Sequence, residues 1–132
     1  RDWLRSFKFK ENIMLFLELL IWLVAIHYLC DYVFQTDAIA TGKNKTIEVA
    51  KFGVHWTYWL TSHAFTHGVG SALVAYMFTQ DLSLATLVLT LETVAHWVID
   101  YLKCVKKLTL DGDQLLHGFC KVWWSILMVM YV

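Results

Sequence analysis

Four long apolar stretches alternate with short polar ones along this chain. They cover residues 13–35, 54–79, 82–103 and 114–132, each close to the roughly 20 residues that a helix needs to cross a bilayer core. Pro is absent, and no short alternating segments of the membrane-barrel type are seen, so the stretches read as uninterrupted helices. The connections are polar. Residues 36–53 carry Gly42, Lys43, Asn44, Lys45 and Lys51, and residues 104–113 carry Lys106, Lys107, Asp111, Gly112 and Asp113. The turn at Gln80 and Asp81 is so short that the second and third helices must be antiparallel neighbours. The pattern predicts one all-α domain over residues 1–132, an integral membrane four-helix bundle. Ahead of it, Trp3, Leu4 and Phe7 interleave with Arg5, Lys8 and Lys10, which fits either a short interfacial helix or a polar lead-in with aromatic anchors.

Composition narrows the classes. The 132 residues are 58% hydrophobic, 16% aromatic and only 17% charged. A soluble domain of this size needs more polar covering, and a disordered chain needs less apolar content and more net charge. The 11 basic and 11 acidic residues cancel, which argues against nucleic acid as a partner. The lipid bilayer is the expected surround. Trp22, Trp56, Tyr58, Trp59, Trp123 and Trp124 fit interfacial belts, or contacts with partner helices or a second copy of the chain. Loops one and three carry Lys43, Lys45, Lys51, Lys103, Lys106 and Lys107, against Arg1, Arg5, Lys8 and Lys10 on the other side. That bias predicts cytoplasmic loops at 36–53 and 104–113. Cys30, Cys104 and Cys120 lack the spacing of a disulfide or zinc framework and read as free thiols in apolar helices.

The polar residues inside the spans follow one spacing. The first span has His27 and Asp31, then Gln35; the second has His63 and His67; the third has His96 and Asp100, then Lys103; the fourth opens on Asp113, Gln114 and His117. Each i, i+4 pair shares one helix face. Chance placement would supply about one such pair, whereas each span has its own. In an up-down-up-down bundle all four pairs fall in the half facing loops one and three, with the deepest members roughly 10–18 Å below that surface. Glu18 falls in the opposite half. Glu92 lies one turn deeper than His96. His55 reads as a surface histidine at a helix end, and Gly68, Gly70 and Ser71 as a close-packing patch.

Imidazole and carboxylate are the donors that suit zinc and similar divalent metals, and a cation offsets the cost of carboxylates in a low-dielectric interior. His27, Asp31, His63, His67, His96, Asp100, Asp113 and His117 are therefore the candidate ligands, enough for one zinc with orienting carboxylates or for two. Asp31, Asp100, Asp113 and Lys103 are the candidate catalytic groups: a carboxylate that is not a ligand acts as general base, and Lys103 steadies an oxyanion or holds a phosphate. Lys103 also reads as a lysine snorkelling to the headgroups. Gln35, Glu92 and Gln114 are candidates to orient the ligands. The same pairs also serve as interhelical glue without any metal.

The ordered motifs HxxxDxxxQ (His27, Asp31, Gln35), HxxxH (His63, His67), HxxxDxxK (His96, Asp100, Lys103) and DQxxH (Asp113, Gln114, His117) resemble those of domain of unknown function 3307. The resemblance runs from about residue 21 to 117. It implies a small polytopic membrane protein of bacterial or phage origin, in the bacterial inner membrane. The chain is also similar in style to predicted membrane-bound metal-dependent hydrolases. Three functions are then in competition. One is a metal-dependent hydrolase of a lipid ester, lipid phosphate, or peptide or envelope precursor. The second is a non-catalytic membrane scaffold, and the third a subunit of a divalent-metal transporter.

Overall fold

The computed structural model describes residues 2–46 and 53–132, with side chains in the first helix described from Lys8 onward. Arg1, Lys51 and the side chains of Trp3, Leu4, Arg5 and Phe7 lie outside the described residues. Among the described residues there are five helices and no strand: α1 (Asp2–Tyr32), α2 (Asp37–Gly42), α3 (Trp56–Thr79), α4 (Leu82–Cys104) and α5 (Leu110–Tyr131). The four long helices pack in a ring, α1 on α3, α3 on α4, α4 on α5 and α5 on α1, while α2 lies on α3.

Local chemistry explains the boundaries. No Gly or Pro interrupts residues 2–32. The anticipated N-terminal interfacial helix is therefore not a separate element but the first turns of a 31-residue α1. The first polar connection is also not a plain loop. The Thr36 side chain accepts a hydrogen bond from the Ile39 N–H and starts α2 inside it. The Asp81 carboxylate accepts from the Leu84 N–H at 2.7 Å and caps α4. Gln80 closes α3 in the left-handed region (φ 54°), which leaves the tight α3–α4 turn anticipated from the sequence. The Thr109 hydroxyl caps α5, so this helix starts at Leu110 rather than near 114 and takes Asp113 into its first turn. His55, read as a surface histidine, is exposed and caps α3 through its ring, which accepts from the Thr57 N–H.

Residues 8–32 of α1 and all of α4 are each long and apolar enough to cross a membrane. At 24 and 22 residues, α3 and α5 have the length, but His, Ser and Thr lower the hydropathy of α3, and Asp, Gln, His and Lys that of α5. The bundle interior is divided lengthwise. Leu19, Leu23, Val74, Ala75, Leu84, Ala85, Val88 and Met128 form an apolar core toward the α3–α4 turn. The polar pairs fill the other half. Close approach holds α3 in place: a Cβ on Gly68 would stand 2.1 Å from Thr93 Oγ1, and one on Gly70 would stand 2.6 Å from Ile26 Cγ1. The small-residue patch is thus a packing feature, as its composition implied. The three cysteines are free.

Candidate metal centre

The four helices bring all four polar pairs to one place. His27, His63, His67, His96 and His117 are each buried, as are Asp100 and Asp113. The five imidazoles form a packed group. His96 lies between His67 and His117, with ring centroids 3.6 and 4.2 Å away and planes within 27° of parallel. His27 and His63 close the group, with centroids 4.8 and 4.7 Å from that of His67.

Asp31 is the hinge between α1 and α3. Its Oδ1 is 3.1 Å from His67 Nε2 and 3.3 Å from His63 Nε2, while its Oδ2 is 3.3 Å from His27 Nε2. Asp100 lies 3.5 Å from His63 Nε2, 3.7 Å from His96 Nε2 and 3.8 Å from His117 Nε2. Asp113 Oδ1 is 3.6 Å from His117 Nε2. Several of these approaches lack hydrogen-bond alignment. Both ring nitrogens of His27, His96 and His117, together with His63 Nε2, His67 Nδ1 and Asp113 Oδ1, are buried with no hydrogen-bond partner. Buried polar atoms left so are costly unless something else satisfies them.

The orienting candidates separate. Gln114 donates to Asp31 Oδ2 at 3.4 Å and to Asp113 Oδ2 at 3.1 Å, and so ties two carboxylates of the cluster together. Gln35 donates to the backbone carbonyl of Asp31 at 3.3 Å. Glu92 sits at the floor, 3.6 Å from His96 Nδ1. Lys103 donates to Asp113 at 2.8 Å and lies 4.0 Å from Asp100, its side chain 32% exposed. It is engaged with carboxylates, in place of the headgroup snorkelling that its position also allowed. Asp31, Tyr32, Gln35, Lys103, Leu110 and Gln114 line a cleft of about 210 Å³ that reaches the cluster from the side of loops one and three. Glu18 points outward and takes no part.

Two buried, paired lysines were not among the residues that the sequence pattern singled out. Lys43, a loop charge by its place in the sequence, is 6% exposed and its Nζ donates to Asp100 Oδ2 at 2.5 Å. Nothing local distinguishes it from Lys45, so only the docking of α2 could have revealed it. Lys121 did carry a signal, an ionisable group inside an apolar span. It pairs with Glu92, which also accepts from Trp124 Nε1 at 2.6 Å.

Asp31, Asp100, Asp113 and Glu92 face Lys43, Lys103 and Lys121, leaving one negative charge with neutral histidines. Among the described residues, Asp31 is the member of the four with no lysine at ion-pair distance. Three sets have ligand atoms within 4.8 Å of one another: His27, His67, Glu92 and His96; Asp31, His63, His67 and His96; and His96, Asp100 and His117. The second set could hold a tetrahedral divalent ion, with Asp31 at donor spacing from two of its histidines. Donors about 2.0–2.1 Å from a tetrahedral zinc stand about 3.3 Å apart. The Asp31–His63 and Asp31–His67 distances of 3.3 and 3.1 Å agree with that.

No match was found among curated proteins or among solved structures. Residues 19–131 match the family described as "Protein of unknown function (DUF3307)", a stretch that holds every motif residue from His27 to His117 and continues through α5. On that match over most of its length, the chain belongs to the family DUF3307.

Proposed function

We propose that this chain is a multi-pass membrane protein in which α1, α3, α4 and α5 cross the bilayer, and that its His/Asp cluster is the metal centre of a hydrolase acting on a membrane-associated substrate. The outer surface supports the first part: Ile21, Met77, Val94 and Trp123, one on each long helix, are 59–68% exposed. Water would not favour so many exposed large apolar side chains, whereas lipid accepts them. Glu92, Asp100, Asp113 and Lys121 point inward, as intramembrane ionisable groups do, while Glu18 stays exposed.

One observation carries the hydrolase reading. Asp31, which meets His63 and His67 at the spacing of zinc donors, also lines the open cleft. A purely structural centre needs no such access. Asp31, His63, His67 and His96 would hold the ion, and His27 would steady the second oxygen of Asp31. A bound divalent ion supplies Lewis acidity at the inner end of the cleft. Lys103 and Gln114 face the same cleft and would orient a substrate oxyanion. Asp113, whose Oδ1 has no hydrogen-bond partner, is the candidate proton acceptor. The cleft combines polar groups with Tyr32 and Leu110, a lining suited to an amphiphile such as a lipid ester or lipid phosphate.

The Glu92–Lys121–Trp124 group is complete without a ligand and favours the scaffold reading as the second choice. The apolar core from Leu19 to Met128 weighs against a metal route through the bundle. Elemental analysis of the purified protein, followed by hydrolysis assays on lipid esters and lipid phosphates, tests the proposal. It expects bound zinc and an activity lost on chelation and in His63→Ala. Full activity after metal removal would sink the hydrolase reading, and a metal-free, inactive protein would support the scaffold.

A further inference from the structure

Asp100, Asp113 and His117 have the makings of a second cation position beside the first. His117 Nε2 stands within 3.8 Å of both carboxylates, and Asp100, His117 and His96 form one of the sets with ligand atoms within 4.8 Å. Carboxylate and imidazole are donors that suit a divalent ion, so this group could hold a second one beside the first. Here, however, both carboxylates are already engaged. Lys43 Nζ lies 2.5 Å from Asp100 Oδ2, and Lys103 Nζ lies 2.8 Å from Asp113 Oδ2.

The position of Lys43 is built, not incidental. Thr36 starts α2, and Lys43 ends it, with its N–H directed to the carbonyls of Ile39 and Thr41. Gly42 lies so close to α3 that a Cβ there would stand 2.7 Å from the Trp59 ring. A lysine buried to 6% exposure is costly unless it meets an anion in good geometry. The charge count points the same way. One divalent ion turns the net charge of the cluster from minus one to plus one. A second would bring it to plus three in a low-dielectric interior, where that excess is heavily opposed.

We propose that Lys43, with Lys103 beside it, takes the place of a second metal ion, so that the centre binds a single divalent cation at Asp31, His63, His67 and His96. This rests on the metal-centre reading above. In this arrangement the ammonium groups provide the positive charge that a second ion would have brought. Lys43 is held by α2, while the partly exposed Lys103 pairs with Asp113 at the edge of the cleft that it lines.

The test is the zinc content of the full chain in detergent, equilibrated with excess zinc and desalted, for wild type and Lys43 variants. Lys43→Met removes the ammonium. Lys43→Gln removes the charge but keeps a donor for Asp100, so it guards against loss of α2 docking. Lys43→Arg keeps the charge. About one zinc per chain is expected in wild type and Lys43→Arg, and about two in Lys43→Met and Lys43→Gln. Two in wild type, or one in a folded Lys43→Gln, overturns the inference while leaving the metal centre standing. No zinc in wild type overturns the metal centre and this inference together.

Discussion

Glu92 and Lys121 form an ion pair inside the bundle, each side chain 1% exposed, with the Trp124 indole donating to the other carboxylate oxygen. Removing one partner leaves an uncompensated charge where no water can reach it. Lys121→Met is therefore expected to destabilise the fold by about 3–5 kcal/mol, with Lys121→Met/Glu92→Gln recovering much of that loss. Unfolding in detergent, followed by helical circular dichroism, checks this. Equal stability of the single variant and wild type would contradict the pairing.

The same glutamate stands 3.6 Å from His96 Nδ1 and would direct the other ring nitrogen of His96 toward the centre. Glu92→Gln, made together with Lys121→Met so that no unpaired ammonium is left, should then weaken zinc affinity by about 10–100-fold without abolishing binding. Asp31→Asn removes a ligand and should cost more. Zinc titration against a competing chelator ranks the two variants. Equal affinities would show that Asp31 is not a ligand.

At the contact between α3 and α4, Gly68→Ala would put a methyl group 2.1 Å from Thr93 Oγ1 and 2.8 Å from the Leu89 carbonyl. The second neighbour is backbone and cannot rotate away. A loss of about 1–3 kcal/mol is expected, with Thr93→Ala restoring only part of it. Full rescue by Thr93→Ala would mean that the backbone contact is slack.

The carboxyl of Asp81, in the turn between α3 and α4, is held below the usual carboxylate range by the Leu84 N–H and then by the Tyr131 hydroxyl. A carboxyl whose folded value is depressed stabilises the fold above its unfolded value and loses that contribution as pH falls through the folded one. Asp81→Ala should therefore lower the Tm at pH 7, and the gap to wild type should narrow below about pH 4. Melting curves across pH 3–7 decide it, and a gap independent of pH would place the effect elsewhere.

Much of the architecture was legible along the chain because the relevant forces are local. Apolar runs of bilayer length marked four helices, the turn at Gln80 and Asp81 could only join antiparallel neighbours, and four-residue spacing put each His/Asp pair on one helix face. Boundaries were less legible, since capping by Thr36 and Thr109 is independent of hydropathy.

By itself, then, the sequence determined the helical class, the family motifs and the gathering of the pairs in one half of the bundle. Periodicity and depth follow from the chain's own geometry. Only the tertiary structure decided how each charge is neutralised. Lys43 reaches Asp100 across 57 residues, and Lys121 reaches Glu92 across 29. Among the described residues, the helix packing left Asp31 facing three imidazoles with no lysine at ion-pair distance. Which carboxylate keeps its charge available to a metal depends on which ammonium groups the fold brings within a few ångströms, and spacing along the chain does not encode that distance.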